Sequence, residues 1–158
     1  MKRDMRMYSA ASDGIINEYD LTNGWKKEQQ FDSKRKQSYC ALVPSTHDVV
    51  YATGKIGEES VIIEVRETWK DRSLEGIELT ALCCVNSSFN LSCLIGGTAD
   101  GRLLVFPSIF NPRSYNTYFV HNSAVTIIKQ SADGRFLFTS GEDGSIFIFN
   151  VSEYFSSA

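Results

Sequence analysis

Apolar residues along the chain fall in short runs rather than at helical spacing. "AVTIIKQ", "LTALCCV" and "SYCALVP" are rich in β-branched, aromatic and small apolar residues and are flanked by turn formers, so each predicts a buried strand. The runs "RLLVF", "SVIIEV" and "SIFIF" predict further apolar strands. "EVRETWKDRSLEGIEL" has the length of a helix, but Trp69, Leu74 and Ile77 do not share one face at a spacing of 3.6. An outer strand and a loop are expected there instead.

The turns between these runs repeat. Asp143-Gly144 in "TSGEDGSIFIFNV" is matched by Asp100-Gly101 in "GGTADGRLLVFP" and by Asp13-Gly14 in "YSAASDGIINEYDL". A further copy, "YATGKIGEESVIIEV", places Gly57 where Asp is expected, and the intervals are then 44, 43 and 43 residues. Twenty-two residues before each turn stand His121, Glu78 and Arg35, and the apolar pairs Val125/Ile128, Leu82/Val85 and Tyr39/Leu42 follow them. The turn inside "QSADGRFLFTS" is explicit in Asp133-Gly134, where glycine accepts φ > 0 at little cost. Four strands in about 43 residues is the period of a propeller blade.

With "LFTSGEDGSIFIFN" and "MYSAASDGIINEYD" on the page, the chain resembles the WD-repeat family. Tyr19-Asp20, Ile63-Glu64, Phe106-Pro107 and Phe149-Asn150 occupy the Trp-Asp place of that family's repeats. The resemblance implies an all-β fold: a WD40-type β-propeller fragment of four-stranded antiparallel blades over residues 1–158, divided near 1–34, 35–77, 78–120 and 121–158. The two central blades are expected to be complete and each end blade incomplete, the first without its inner strand. Such an array either belongs to a longer protein or pairs with a second copy, because open end faces leave apolar surface in water.

The resemblance also assigns the repeated polar residues. His121, Thr139 and Asp143 form a structural hydrogen-bond network that ties the loop before the inner strand to the Asp-Gly turn, and Ser9 and Asp13 are its remnant in the first copy. Phe149 has no N–H to offer where a Trp would have one, so a shortened network is expected. The rival reading is a hydrolase using His121, Thr139 and Asp143 as a triad. A buried polar group must in any case find a partner or cost about 1–3 kcal/mol, so the structural role suffices.

Composition changes the picture only by exclusion. A net charge of −3 argues against a nucleic-acid binder, and no run of 18 apolar residues could span a bilayer. The charged start, Met1-Lys2-Arg3-Asp4-Met5-Arg6, has no apolar segment of the kind a secretory signal needs, so an intracellular, cytoplasmic protein is expected. The sequons at Asn86, Asn90 and Asn150 are then incidental. Cys40, Cys83, Cys84 and Cys93 include no C-x-x-C pair, and with His47 and His121 they make a poor metal set; reduced, buried thiols are expected. "GGTADG" lacks the lysine of a phosphate loop. No cofactor and no metal are implied.

Two segments suit protein partners. Lys34, Arg35 and Lys36, with Lys26 and Lys27, guard a strand edge or meet an acidic surface such as a tubulin tail; Tyr115 and Tyr118 stand in an aromatic segment around Asn111-Pro112. The closing repeats and the first copy, "EYDLTNG", resemble those of WD-repeat proteins of cilia and flagella, in which propellers precede long coiled coils. That resemblance implies an axonemal scaffold that docks or regulates inner-arm dynein, with axonemal dynein or microtubule-associated components as partners. A general intracellular adaptor is the alternative, and homodimerisation through the end blades is expected if the chain acts as it stands.

Overall fold

The computed structural model describes residues 6–22, 24–32, 37–44, 50–56, 59–65, 70–74, 76–86, 92–107 and 115–151. Its strands are β1 (Arg6–Ala10), β2 (Ile15–Asp20), β3 (Lys26–Asp32), β4 (Gln37–Pro44), β5 (Val50–Ile56), β6 (Glu59–Val65), β7 (Lys70–Leu74), β8 (Leu79–Asn86), β9 (Ser92–Thr98), β10 (Arg102–Phe106), β11 (Asn116–Phe119), β12 (Val125–Gln130), β13 (Phe136–Gly141) and β14 (Ile146–Asn150). They form four antiparallel sheets in chain order: β1-β2-β3, β4-β5-β6-β7, β8-β9-β10-β11 and β12-β13-β14. The two central sheets thus have four strands each, and the first and last have three among the described residues. The segment that could have been a helix contributes β7, and Trp69 lies outside the described residues.

The Asp-Gly turns set the register. Gly14, Gly101 and Gly144 all have positive φ (81°, 88° and 77°), a conformation glycine reaches without the clash a Cβ would bring. Each donates its N–H to the carbonyl three residues back, that of Ala11, Thr98 and Gly141 at 3.2, 3.2 and 3.1 Å. The strands that follow pair identically, Ala10 with Ile16, Gly97 with Leu103 and Ser140 with Ile146. The second sheet departs from this pattern. There pairing continues to Ile56 and Glu59, with only residues 57 and 58 between them, and Gly57 itself lies outside the described residues.

The lead strands depart too. Ile128 stands opposite Thr139, whereas Leu82, not Val85, stands opposite Gly96 one repeat earlier. The lead strand of the third sheet is therefore offset by three residues from the even spacing, and the extra residues lie in the longer strands β8 and β9, of 8 and 7 residues against 6 and 6 for β12 and β13. His121 then corresponds to position 75, outside the described residues, rather than to Glu78, which is exposed.

The chain divides into two compact units, Met1–Ser73 and Leu74–Ala158. In the first, Ile16 packs with Val50, Ala52 and Val61, joined by Tyr8, Ala10 and Phe31. In the second, Ala81, Cys83, Val85, Ile95, Leu103 and Val105 of the third sheet pack with Val125, Ile128, Leu137 and Val151. Alternation decides which side of each strand enters these cores, so a whole face of a sheet is buried at once. The sheets are also joined directly: Thr80 Oγ1 donates to the carbonyl of Val125 at 2.6 Å.

Candidate functional site: the His121 corner

His121 lies just before β12, where the peptide is held by the preceding turn. The carbonyl of Gly101 accepts the His121 N–H at 3.0 Å. This fixes the imidazole over the start of the last sheet, with its side chain fully buried. Nε2 is 2.9 Å from Thr139 Oγ1, and Nδ1 is 2.9 Å from Ser145 Oγ and 3.3 Å from Asp143 Oδ1. Phe147 meets the ring edge-on, with centroids 5.0 Å apart, and stacks on Phe149 at 6.4 Å.

Asp143 collects donors from three sides. Its Oδ1 accepts the Ser145 hydroxyl at 2.6 Å and the Ser145 amide at 2.9 Å, and its Oδ2 accepts the Asn122 amide at 2.8 Å. The backbone at this turn is exposed while the carboxylate is only 14% accessible. Bonds from the Ser145 hydroxyl, the Asn122 amide and the Ser145 amide, with the His121 ring, hold the carboxyl below the usual carboxylate range. Since the Ser145 hydroxyl gives its one proton to Asp143, Nδ1–H donates to Ser145 Oγ, and in a neutral ring Nε2 is left to accept from Thr139.

The structure therefore brings His121, Thr139 and Asp143 together. Ser145 completes the group and was missed in the sequence, although a Ser two residues after Asp in an Asp-Gly turn is the signature of a side chain capped by its own loop. Ser9 and Asp13 are not brought together. Asp13 accepts the Ile15 amide at 3.0 Å, while Ser9 sits opposite Asn17 in the β1–β2 pairing. In the third sheet the place of Thr139 is taken by Gly96, where an added Cβ would lie 2.8 Å from Leu79 Cδ2. That corner is filled by hydrocarbon, with Leu79 and Phe106 both buried.

Chemically the corner offers little to a substrate. Both ring nitrogens are engaged, Thr139 is 1% exposed, and the carboxylate is saturated with donors. A triad needs a nucleophile that a substrate can reach. Among the described residues no three His, Cys, Asp or Glu side chains group as metal ligands. Cys83, Cys84 and Cys93 are free thiols, and burial pushes Cys93 up to about 11.

The candidate partner residues are spread out. Tyr115 lies half-buried with its ring 5.5 Å from that of Phe106, whereas Tyr118 on β11 is exposed beside Phe119, which is 85% accessible. Lys26 and Lys27 lie exposed on β3. Lys34, Arg35 and Lys36 lie outside the described residues.

Comparison with known proteins bears on both fold and role. Residues 113–150, which carry the His121 corner, match the family described as WD domain, G-beta repeat. The crystal structure of the β-propeller domain of Myceliophteria thermophila Cps50 (Swd1) superposes with a TM-score of 0.71 at 18% identity, over 97% of this chain and 50% of that one. The fold is that of β-propeller blades, the last of which matches a WD repeat. Among curated proteins, Cilia- and flagella-associated protein 57 of Mus musculus is 27% identical over 154 residues, 94% of this chain. The chain spans 12% of the length of that relative and half of the matched β-propeller domain.

Proposed function

We propose that this chain is a non-enzymatic protein-interaction module of a ciliary or flagellar axoneme, acting in the docking or regulation of inner-arm dynein. The observation that carries the axonemal part is the 27% identity, over 94% of the chain, with a protein named for cilia and flagella. The non-enzymatic part is supported by the His121 corner, whose hydrogen bonds are all spent inside the protein. In this reading His121, Thr139, Ser145 and Asp143 are fastenings. Contact with partners falls to exposed loops and strand edges, with Tyr118 and Phe119 the first candidates and Lys34, Arg35 and Lys36 a basic segment for an acidic surface. Self-association through the outermost sheets belongs to the same reading.

The test is direct binding of the purified chain to isolated inner-arm dynein and, separately, to polymerised tubulin. Binding to dynein that weakens at least tenfold in Tyr118→Ala/Phe119→Ala supports the proposal and its surface. Binding that ignores the double substitution moves the surface elsewhere, and absence of binding to either component removes the axonemal role.

A further inference from the structure

One face of the last sheet is apolar and open. Ile127, Ser140 and Ile146 form one cross-strand row, and Lys129, Phe138 and Ile148 form the next, with Phe136 beyond. All of these except the half-buried Ser140 are exposed, Ile146 at 71% and Ile148 at 62%. Monomeric soluble proteins seldom leave such a contiguous patch in water.

The repeat says what belongs on it. One repeat earlier the matching rows are Ala81, Gly97 and Leu103, then Cys83, Ile95 and Val105. Apart from Gly97 these side chains are in the buried core, covered by the opposite face of the last sheet through Leu137, Val125 and Ile128, with Phe149 packed alongside. The open face is thus the register equivalent of one already closed by a sheet.

The chain also carries the covering kind of face without a described occupant. Tyr8, Ala10 and Ile16 turn one side of the first sheet into the first unit's core. By alternation Met7, Ser9, Asn17 and Tyr19 lie on the other side. They pair as Met7 with Tyr19 and Ser9 with Asn17, three repeats before Leu137 with Phe149 and Thr139 with Phe147. Asn17 Oδ1 on this face is buried without a hydrogen-bond partner, and Lys129 on the open face carries donors.

We infer that the open Ile127–Phe138–Ile146–Ile148 face of the last sheet docks the Met7–Ser9–Asn17–Tyr19 face of the first sheet of a second copy. Two copies supply the length of the matched propeller, of which this chain spans half. The inference rests on the interaction-module reading but names a different surface from the dynein candidates, so either can fail alone.

The experiment is the mass of the purified full chain by light scattering and sedimentation across a hundredfold concentration range. A dimer is expected. Ile148→Lys and Met7→Lys should each shift it to monomer, and mixing the two variants, each retaining one intact face, should restore a hetero-dimer. Ile148→Lys is the folding control as well, since a side chain 62% exposed in the protomer should leave the far-ultraviolet circular dichroism unchanged. A monomer at every concentration, a dimer indifferent to Ile148→Lys, or species growing beyond two copies would each overturn the inference.

Discussion

Gly101 and His121 touch twice. The Gly101 carbonyl takes the His121 amide at 3.0 Å, and the Gly101 Cα faces the His121 carbonyl so closely that any Cβ would collide with it. The turn of one sheet thereby seats the imidazole of the next. Gly101→Ala meets both this collision and a φ of 88°. A loss of about 1–3 kcal/mol is expected from the backbone conformation alone, read as a lower urea midpoint for the unit holding residues 74–158.

Thr139→Val keeps the shape of the side chain and removes its hydroxyl. His121 Nε2 then has no partner in a buried site, and a loss of about 1–3 kcal/mol is expected. Thr139→Ser should recover most of it. Equal stability of the Val and Ser variants in chemical denaturation would mean that the hydrogen bond contributes nothing.

The two faces of the last sheet should respond oppositely to truncation. Leu137 is fully buried in the second core, so Leu137→Ala should cost about 2–5 kcal/mol. Ile148→Ala removes a side chain 62% exposed in the protomer and should change protomer stability by less than about 0.5 kcal/mol. Thermal unfolding of dilute samples compares them directly.

Stability should fall in acid through two turn carboxylates. Bonds from the Ser131 hydroxyl and Arg135 lower Asp133 to about 2, and Ser145 with the Asn122 amide lowers Asp143 further. A carboxyl depressed in the folded state stabilises above its unfolded value, about 3.9, and loses that contribution as pH drops through the folded one. Between pH 5 and about 2 the denaturation midpoint should therefore decline, and Asp143→Asn should make the decline shallower. An unchanged slope would show that Asp143 keeps an ordinary affinity for protons.

Cys93 should react slowly with maleimide. With its thiol pushed up to about 11 by burial, little thiolate exists at pH 8, and labelling should accelerate about tenfold per pH unit towards 11. Rapid labelling of Cys93 in native protein at pH 8, resolved by peptide mass, would contradict this.

The repeat was legible because glycine at positive φ leaves a mark that few other residues can imitate, and Gly14, Gly101 and Gly144 kept it. The offset of Leu82 was not legible. Its hairpin carries its extra residues inside the strands, β8 and β9 having 8 and 7 residues against 6 and 6 for β12 and β13, and an apolar run does not say where pairing stops. Ser145 was overlooked because small polar residues in turns are common, and only the Asp143 geometry singles it out. The open face of the last sheet was legible in outline, because an array with incomplete end blades leaves apolar surface in water. "SIFIF" reads as an apolar strand, and sequence does not say which of its sides a neighbour covers.

Gly96 and Thr139 occupy the same corner in neighbouring sheets, one roofed by Leu79 and Phe106, the other bonded to an imidazole. Greasy contacts weaken on cooling, whereas hydrogen-bonded fastenings are not subject to that loss. Chilled protein should consequently loosen around Leu79 before it loosens at the imidazole clasp.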